Sequence, residues 1–227
     1  HNKIAFFPQI QTDKHIKKFK NIFYKNLSVG LDGIFHSRYS ESDFHYGEIP
    51  SMKNNIKFHG YFQSYKYFQE HHKEILEILD IKNLQEIITK KYGDFSDHVS
   101  LHVRRGDYLE LSEYHHNLGI EYYKKAVSKF DKESKFLIFS NDIEWCKENL
   151  NFIKNAQFSE DKDDWEDMIL MSNCKSNIIA NSTFSWWGAW LNTSEDKLVI
   201  APSKWFGPKY SNKNTKDILP ESWIVDA

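Results

Sequence analysis

From Val99 onward the chain repeats a pattern that few folds accommodate: a short apolar run, a segment with helical spacing, then another apolar run. Val99–Val103 reads as a strand. Ile120–Phe130 reads as a helix with Ile120, Tyr123, Val127 and Phe130 on one face. Phe136–Phe139 is continuously apolar, as in a strand covered on both sides. Asp142–Leu150 then reads as a helix, Ala156–Phe158 as a short strand, and Asp164–Asn173 as a helix with Ile169, Leu170 and Cys174 near its inner face. Asn177–Ala180 reads as a strand, Ser185–Leu191 as a short helix and Leu198–Ala201 as a last strand. Strands alternating with helices predict an α/β fold with a parallel sheet. Such sheets bind ligands beyond the carboxyl ends of their strands. The segments after Val103, Phe139, Phe158 and Ala180 are therefore where a site is expected.

The texture upstream is different. Before a boundary near Tyr92–His98 the chain is rich in Lys, Asn, Phe and Tyr. Thr12 or Asp13 is placed to cap a helix with Ile16, Phe19 and Phe23 on one face. Ile56–Phe62 alternates like a strand, and Glu70–Lys91 reads as one or two helices with Ile75, Leu79, Leu84 and Ile88 inward. The balance of 30 Lys and Arg against 32 Asp and Glu argues against a nucleic-acid partner. No apolar run reaches the roughly 18 residues of a membrane span, and His1–Ile10 lacks the basic-then-apolar order of a signal peptide. Cys146 and Cys174 are too few and too far apart for a disulfide framework or zinc site, so a reducing compartment is expected.

Three strand ends carry chemistry. After the first comes His102-Val103-Arg104-Arg105-Gly106-Asp107-Tyr108. Paired arginines at a strand end suit a phosphate, because each presents a planar fork of donors. The competing reading of either arginine is an ion pair with Asp107, Glu110 or Glu113. Strand alternation puts His102 and Arg104 on one face and Arg105 on the other, so one arginine meets a ligand while the other braces the fold. Gly106 permits a sharp turn or a close backbone approach. After the second strand, Ser140-Asn141-Asp142 caps the next helix or lines the cleft. After the fourth, Asn181-Ser182-Thr183-Phe184-Ser185 offers hydroxyls and free N–H groups at a helix start, a cradle for phosphate. Trp186, Trp187 and Trp190 behind it read mainly as core packing.

Asp161-Lys162-Asp163 resembles the acidic pair of metal-dependent sugar transferases, but it lies in a charged stretch without apolar framing and reads as solvated; no metal site is expected. Glycosylation patterns begin at Asn26, Asn181 and Asn192, the second expected to be internal. From the residues alone, this is an α/β protein that grips a diphosphate at parallel strand ends. That suggests an enzyme of nucleotide-sugars without naming the sugar.

His102–Tyr108, Phe139–Asp142 with Glu144-Trp145-Cys146, and Trp165–Leu191 resemble three motifs of the bacterial alpha-1,2-fucosyltransferases. Gly60–Ser64, Tyr67-Phe68, Ala201-Pro202 with Trp205, and Pro220 with Trp223 extend the likeness over most of the chain from Ile56. The family's opening Gly-Gly-Leu-Gly-Asn-Gln-Met-Phe-Gln-Tyr stretch has no counterpart here.

The resemblance implies a GT-B-like fold of two facing Rossmann-type domains, with residues 1–95 as an incomplete acceptor-side domain and 96–227 as the donor domain. It implies transfer of L-fucose from GDP-beta-L-fucose to the 2-hydroxyl of a terminal galactose in a glycan, with inversion and no required cofactor or metal. Arg105 would hold the diphosphate, with His102 beside ribose or fucose, and Asp167 would read guanine. Arg104, Ser140, Asn141, Asp142, Asn181, Ser182, Thr183, Phe184 and Ser185 complete the expected donor site. Asp107 is the candidate base, with Glu110 and Glu113 behind it, and its competing role is to brace an arginine. The same resemblance places the protein in lipopolysaccharide or O-antigen synthesis, in the cytoplasm at the inner face of the bacterial inner membrane. The rival readings are a fucosyltransferase of another linkage and a GDP-sugar-binding module without catalysis.

Overall fold

The computed structural model describes residues 37–51 and 56–226. The helix expected after Thr12 and the Asn26 pattern lie outside the described residues. Two short strands, β1 (Ser37–Ser40) and β2 (Ile56–His59), pair in parallel. Helices α1 (His72–Ile78) and α2 (Ile81–Tyr92) follow. Asp80 separates them in the left-handed region, at φ 53°, which breaks the single helical run that Glu70–Lys91 could otherwise form.

The second, larger sheet accounts for the alternation read from the sequence. Its strands are β3 (His98–Val103), β4 (Lys135–Ser140), β5 (Ala156–Phe158), β6 (Ser176–Ile178), β7 (Val199–Pro202) and β8 (Ile224–Asp226). They stand in the order β5-β4-β3-β6-β7-β8, all parallel. Counted from β3 this is 3-2-1-4-5-6, the doubly wound order of Rossmann-type sheets, whose direction reverses between β3 and β6. The connecting helices are α3 (Gly106–Glu110), α4 (Ile120–Val127), α5 (Ile143–Asn149), α6 (Asp164–Asn173) and α7 (Thr183–Trp190). Edge strand β8 was not expected. Its three residues form no apolar run, and Ile224 and Val225 are exposed.

Strand parity divides the core. Val99, Leu101, Val103, Phe136, Ile138, Ile178 and Ile200 pack with Tyr123, Ala126 and Cys146 on one face. Leu137, Phe139, Ile179, Val199 and Ala201 pack on the other with Met168–Met171 of α6 and Trp186 and Trp190 of α7. Phe44, Tyr65, Ile81 and Ile88 from before residue 95 join this second cluster. Lys91 Nζ (2.6 Å) and the Tyr92 hydroxyl (2.8 Å) reach Glu166, which also closes the α6 capping box with Asp163. The tryptophans behave mainly as packing: Trp186 and Trp190 are buried, and Phe68 is in ring contact with Trp186, Trp187 and Trp190. Both thiols are buried, and burial pushes Cys146 up to about 11. The amides of Asn181 and Asn192 are buried and hydrogen-bonded to backbone carbonyls, so neither presents a glycosylation acceptor. Among the described residues no helix is long and apolar enough to cross a membrane.

Candidate functional site

A cleft of about 660 Å³ lies at the carboxyl ends of β3, β4, β5 and β6, at the point where the sheet reverses. Its walls include His102, Arg104, Asp107, Ser140, Asn141, Asp167, Ser182, Thr183 and Phe184, all expected from strand-end reasoning or from the resemblance. Arg105, Asp142, Asn181 and Ser185 do not line it, and each has another job.

The two arginines part company as strand parity requires. Arg104 continues the His102 face and lines the cleft; its Nη2 lies 2.9 Å from both carboxylate oxygens of Asp107, and its guanidinium sits 5.4 Å from the Tyr108 ring centre. Arg105 turns away. Its Nε donates to Asp142 Oδ2 (3.1 Å) and its guanidinium lies 4.0 Å over the Trp145 ring. Asp142 in turn caps α5 by accepting from Trp145 N–H. Gly106 makes the turn that follows them, at φ +29°, where a side chain would be strained and its Cβ would collide with the Asn141 amide. That amide holds the turn: Asn141 Oδ1 accepts from Arg105 N–H at 3.0 Å.

His102 sits at the cleft floor, 3% exposed, with Nδ1 2.8 Å from Ser185 Oγ and its ring 5.4 Å from that of Phe184. Burial, helped by the Arg104 charge, lowers it to about 3, so the ring is neutral across the physiological range. Ser185 thus acts beneath His102 rather than in the cleft. Ser182 caps α7, its Oγ accepting from Phe184 N–H, and Thr183 is exposed at the helix start. Asn181 donates to the His116 and Trp205 carbonyls and so ties the loop after β6 to the segment before α4.

The β5 side of the cleft is acidic. Glu160, Asp161, Asp164 and Asp167 line it together with Lys162. The stretch read as solvated is largely exposed, as expected, and also lines the cleft through Asp161 and Lys162, while Asp163 caps α6. Asp167 accepts from Ser159 Oγ at 2.5 Å, and burial pushes it up to about 6 despite that bond. Ser159 was reachable in the sequence as the residue after Phe158. His115 was not: it lines the cleft from the loop after α3, stacked on Tyr108 with ring centres 4.0 Å apart and planes at 10°. Of the carboxylates expected to act as base, Asp107 is committed to Arg104, Glu113 pairs with Lys209 at 2.6 Å, and neither Glu113 nor Glu110 lines the cleft. Among the described residues no three His, Cys, Asp or Glu side chains are grouped to hold a metal ion.

A doubly wound sheet with a ligand-sized cleft at its reversal point, walled by an arginine and a hydroxyl-bearing helix start, defines an α/β protein with a Rossmann-type sheet. The sequence model of glycosyl transferase family 11 matches residues 3–226, and the chain belongs to that family. An O-antigen biosynthesis glycosyltransferase of Escherichia coli is 38% identical over 76% of the chain and 61% of its own length. An alpha-1,2-colitosyltransferase of Escherichia coli is 39% identical over 77% of the chain and 63% of its own length. A galactoside alpha-(1,2)-fucosyltransferase of Saimiri sciureus is 32% identical over 41% of the chain and 28% of its own length. The chain spans about three fifths of the length of the two bacterial relatives. No solved structure matches it.

Proposed function

We propose that this family 11 glycosyltransferase moves L-fucose from GDP-beta-L-fucose to the 2-hydroxyl of a terminal galactose, with inversion and without a metal. The observation that carries the reading is the polarity of the cleft. Arg104 and the Ser182–Thr183 helix start meet at the β3/β6 reversal, while desolvated Asp167 and its acidic neighbours occupy the β5 side. A diphosphate fits the first group and is repelled by the second. The nucleoside then extends toward Asp167, whose carboxylate accepts from the guanine N1–H and N2 amine, and the sugar extends toward Tyr108 and His115. In the reaction the acceptor hydroxyl attacks the anomeric carbon opposite the leaving GDP, and charge grows on the diphosphate. Arg104 is aimed at that charge, in a site where a fixed guanidinium does the work of a metal. The sequence expectation gave this role to Arg105. The cleft favours Arg104, with Arg105 bracing the turn through Asp142 and Trp145.

The colitosyltransferase relative favours a second reading in which colitose replaces fucose. Incubation with lactose and either GDP-fucose or GDP-colitose, with the product linkage read by NMR, separates the two. An alpha-1,2-fucosyl product formed at an undiminished rate in EDTA is expected. Product from GDP-colitose alone supports the second reading. GDP binding without transfer from either donor leaves a nucleotide-sugar-binding module, and dependence on manganese removes the metal-free mechanism.

A further inference from the structure

We infer that His115 is the catalytic base that takes the proton from the attacking acceptor hydroxyl. This assignment rests on the proposed transfer reaction. Inversion by direct displacement needs a proton acceptor on the face opposite the diphosphate, and three groups at that end of the cleft have basic atoms: His102, Asp107 and His115. His102 is buried with Nδ1 against Ser185 Oγ. Asp107 has both oxygens engaged by the Arg104 guanidinium. His115 is half-buried and lines the cleft, and its ring nitrogens have no hydrogen-bond partner among the described residues. The remaining cleft carboxylates, Glu160, Asp161, Asp164 and Asp167, lie on the β5 side, where the nucleoside is placed.

The ring is held for this task. Tyr108 stacks on it and anchors its own hydroxyl on the Asn181 carbonyl at 3.2 Å. Behind the ring, the backbone of His115 bridges Phe206 antiparallel. Gly207 is packed so closely on the 112–113 backbone that a Cβ would lie 2.6 Å from the Ser112 carbonyl oxygen. Lys209 clamps the same loop, its N–H on the Glu113 carbonyl and its Nζ on the Glu113 carboxylate. The charged groups around the imidazole are Asp107 and Arg104 on the cleft side, with Lys204 beside neighbouring His116. Burial first, and Arg104 after it, hold His115 below the ordinary histidine range, with Asp107 opposing, so the ring is free to accept a proton at neutral pH.

In the step, the acceptor oxygen forms its bond to the anomeric carbon as the bond from that carbon to the diphosphate oxygen breaks. The hydroxyl proton passes to a His115 ring nitrogen, and GDP leaves with the bonding pair. The imidazolium faces Asp107 and then returns its proton to solvent.

Transfer to lactose by the parent, His115→Gln and His115→Gly proteins tests this. His115→Gln is expected to lower kcat by about 100-fold or more, the scale of general acid–base catalysis, with GDP affinity by calorimetry unchanged. The parent kcat, read at saturating donor so that Asp167 titration drops out, falls on the acid side as the ring takes a proton, and this limb of kcat disappears in the variants. Added imidazole restores rate to His115→Gly, which a merely structural role would not permit. A parent that transfers sugar while His115→Gln matches it overturns the assignment alone. So does a His115→Gln loss that follows GDP affinity, an acid limb retained in kcat at saturating donor, or no rescue by imidazole. A parent that transfers nothing overturns the reaction and this assignment together.

Discussion

The two sides of the cleft are built on opposite electrostatic plans. At the sheet reversal, a cation and a helix start face open space: Arg104 from the end of β3, Ser182 and Thr183 from the start of α7. At the β5 side, carboxylates crowd the start of α6, and one of them, Asp167, is desolvated enough to titrate near 6. The first side favours a group that arrives with negative charge. The second favours a neutral group that brings hydrogen-bond donors. A nucleotide-sugar offers both, in that order along its length. The difference shows that a cleft's net charge says less than where along it each sign is fixed.

Exchanging the two arginines in experiment strikes hardest at this contrast. Arg104→Ala is expected to lower kcat by roughly 100- to 1,000-fold, the cost of removing one preorganised donor to developing charge. Arg104→Lys recovers only part of it, since an ammonium cannot make the forked contact. Arg105→Ala should chiefly lower the melting temperature, because it loses the Asp142 pair and the Trp145 stack. Steady-state kinetics beside thermal melts decide it: a larger kinetic loss in Arg105→Ala returns the diphosphate to Arg105.

Asp167 sharpens the other side. Asp167→Asn is expected to weaken GDP binding by roughly 10- to 100-fold, the scale of hydrogen bonds to a charged partner. Because the folded group titrates near 6, GDP affinity of the parent should rise as pH increases through about 6 and level off above it. Stability runs the other way. The unfolded carboxyl ionises at its ordinary value while the folded one still holds its proton, so folding loses stability as pH rises through that interval. Asp167→Asn escapes this loss and should melt no lower than the parent at pH 7. Calorimetry and melts across pH 4.5–8 check both, and normal GDP binding by the variant removes the guanine contact.

The smallest effect is expected beneath the floor. Ser185→Ala removes one partner of His102 at a net cost of about 1 kcal/mol, so donor KM should shift by less than roughly tenfold. A loss of kcat as large as that of Arg104→Ala would make His102 a participant in proton transfer.

Much of this was legible in the chain. Period and run length gave the parallel sheet, and the strand-end rule led to Arg104, Ser140, Asn141, Ser182 and Thr183, which line the cleft, and equally to Arg105, Asp142, Asn181 and Ser185, which do not. Parity even separated the two arginines, because alternation along an extended strand is local geometry. What remained hidden has a common cause. Edge strand β8 exists because its backbone pairs with β7, not because its three residues form an apolar run. The sequence around Asp161 is indistinguishable from a solvated loop, and only the placement of β5 beside β4 turns it into a cleft wall.

His115 enters through a loop held by Phe206, Gly207 and Lys209, residues about ninety positions downstream. Periodicity, strand ends and helix starts are fixed by interactions within a few residues, and the sequence determined those by itself. Which side chains share a cleft depends on contacts between distant segments, whose closure is stabilised only when the whole sheet assembles. That part, from the cleft wall around Asp161 to the inward His115, was decided by tertiary structure.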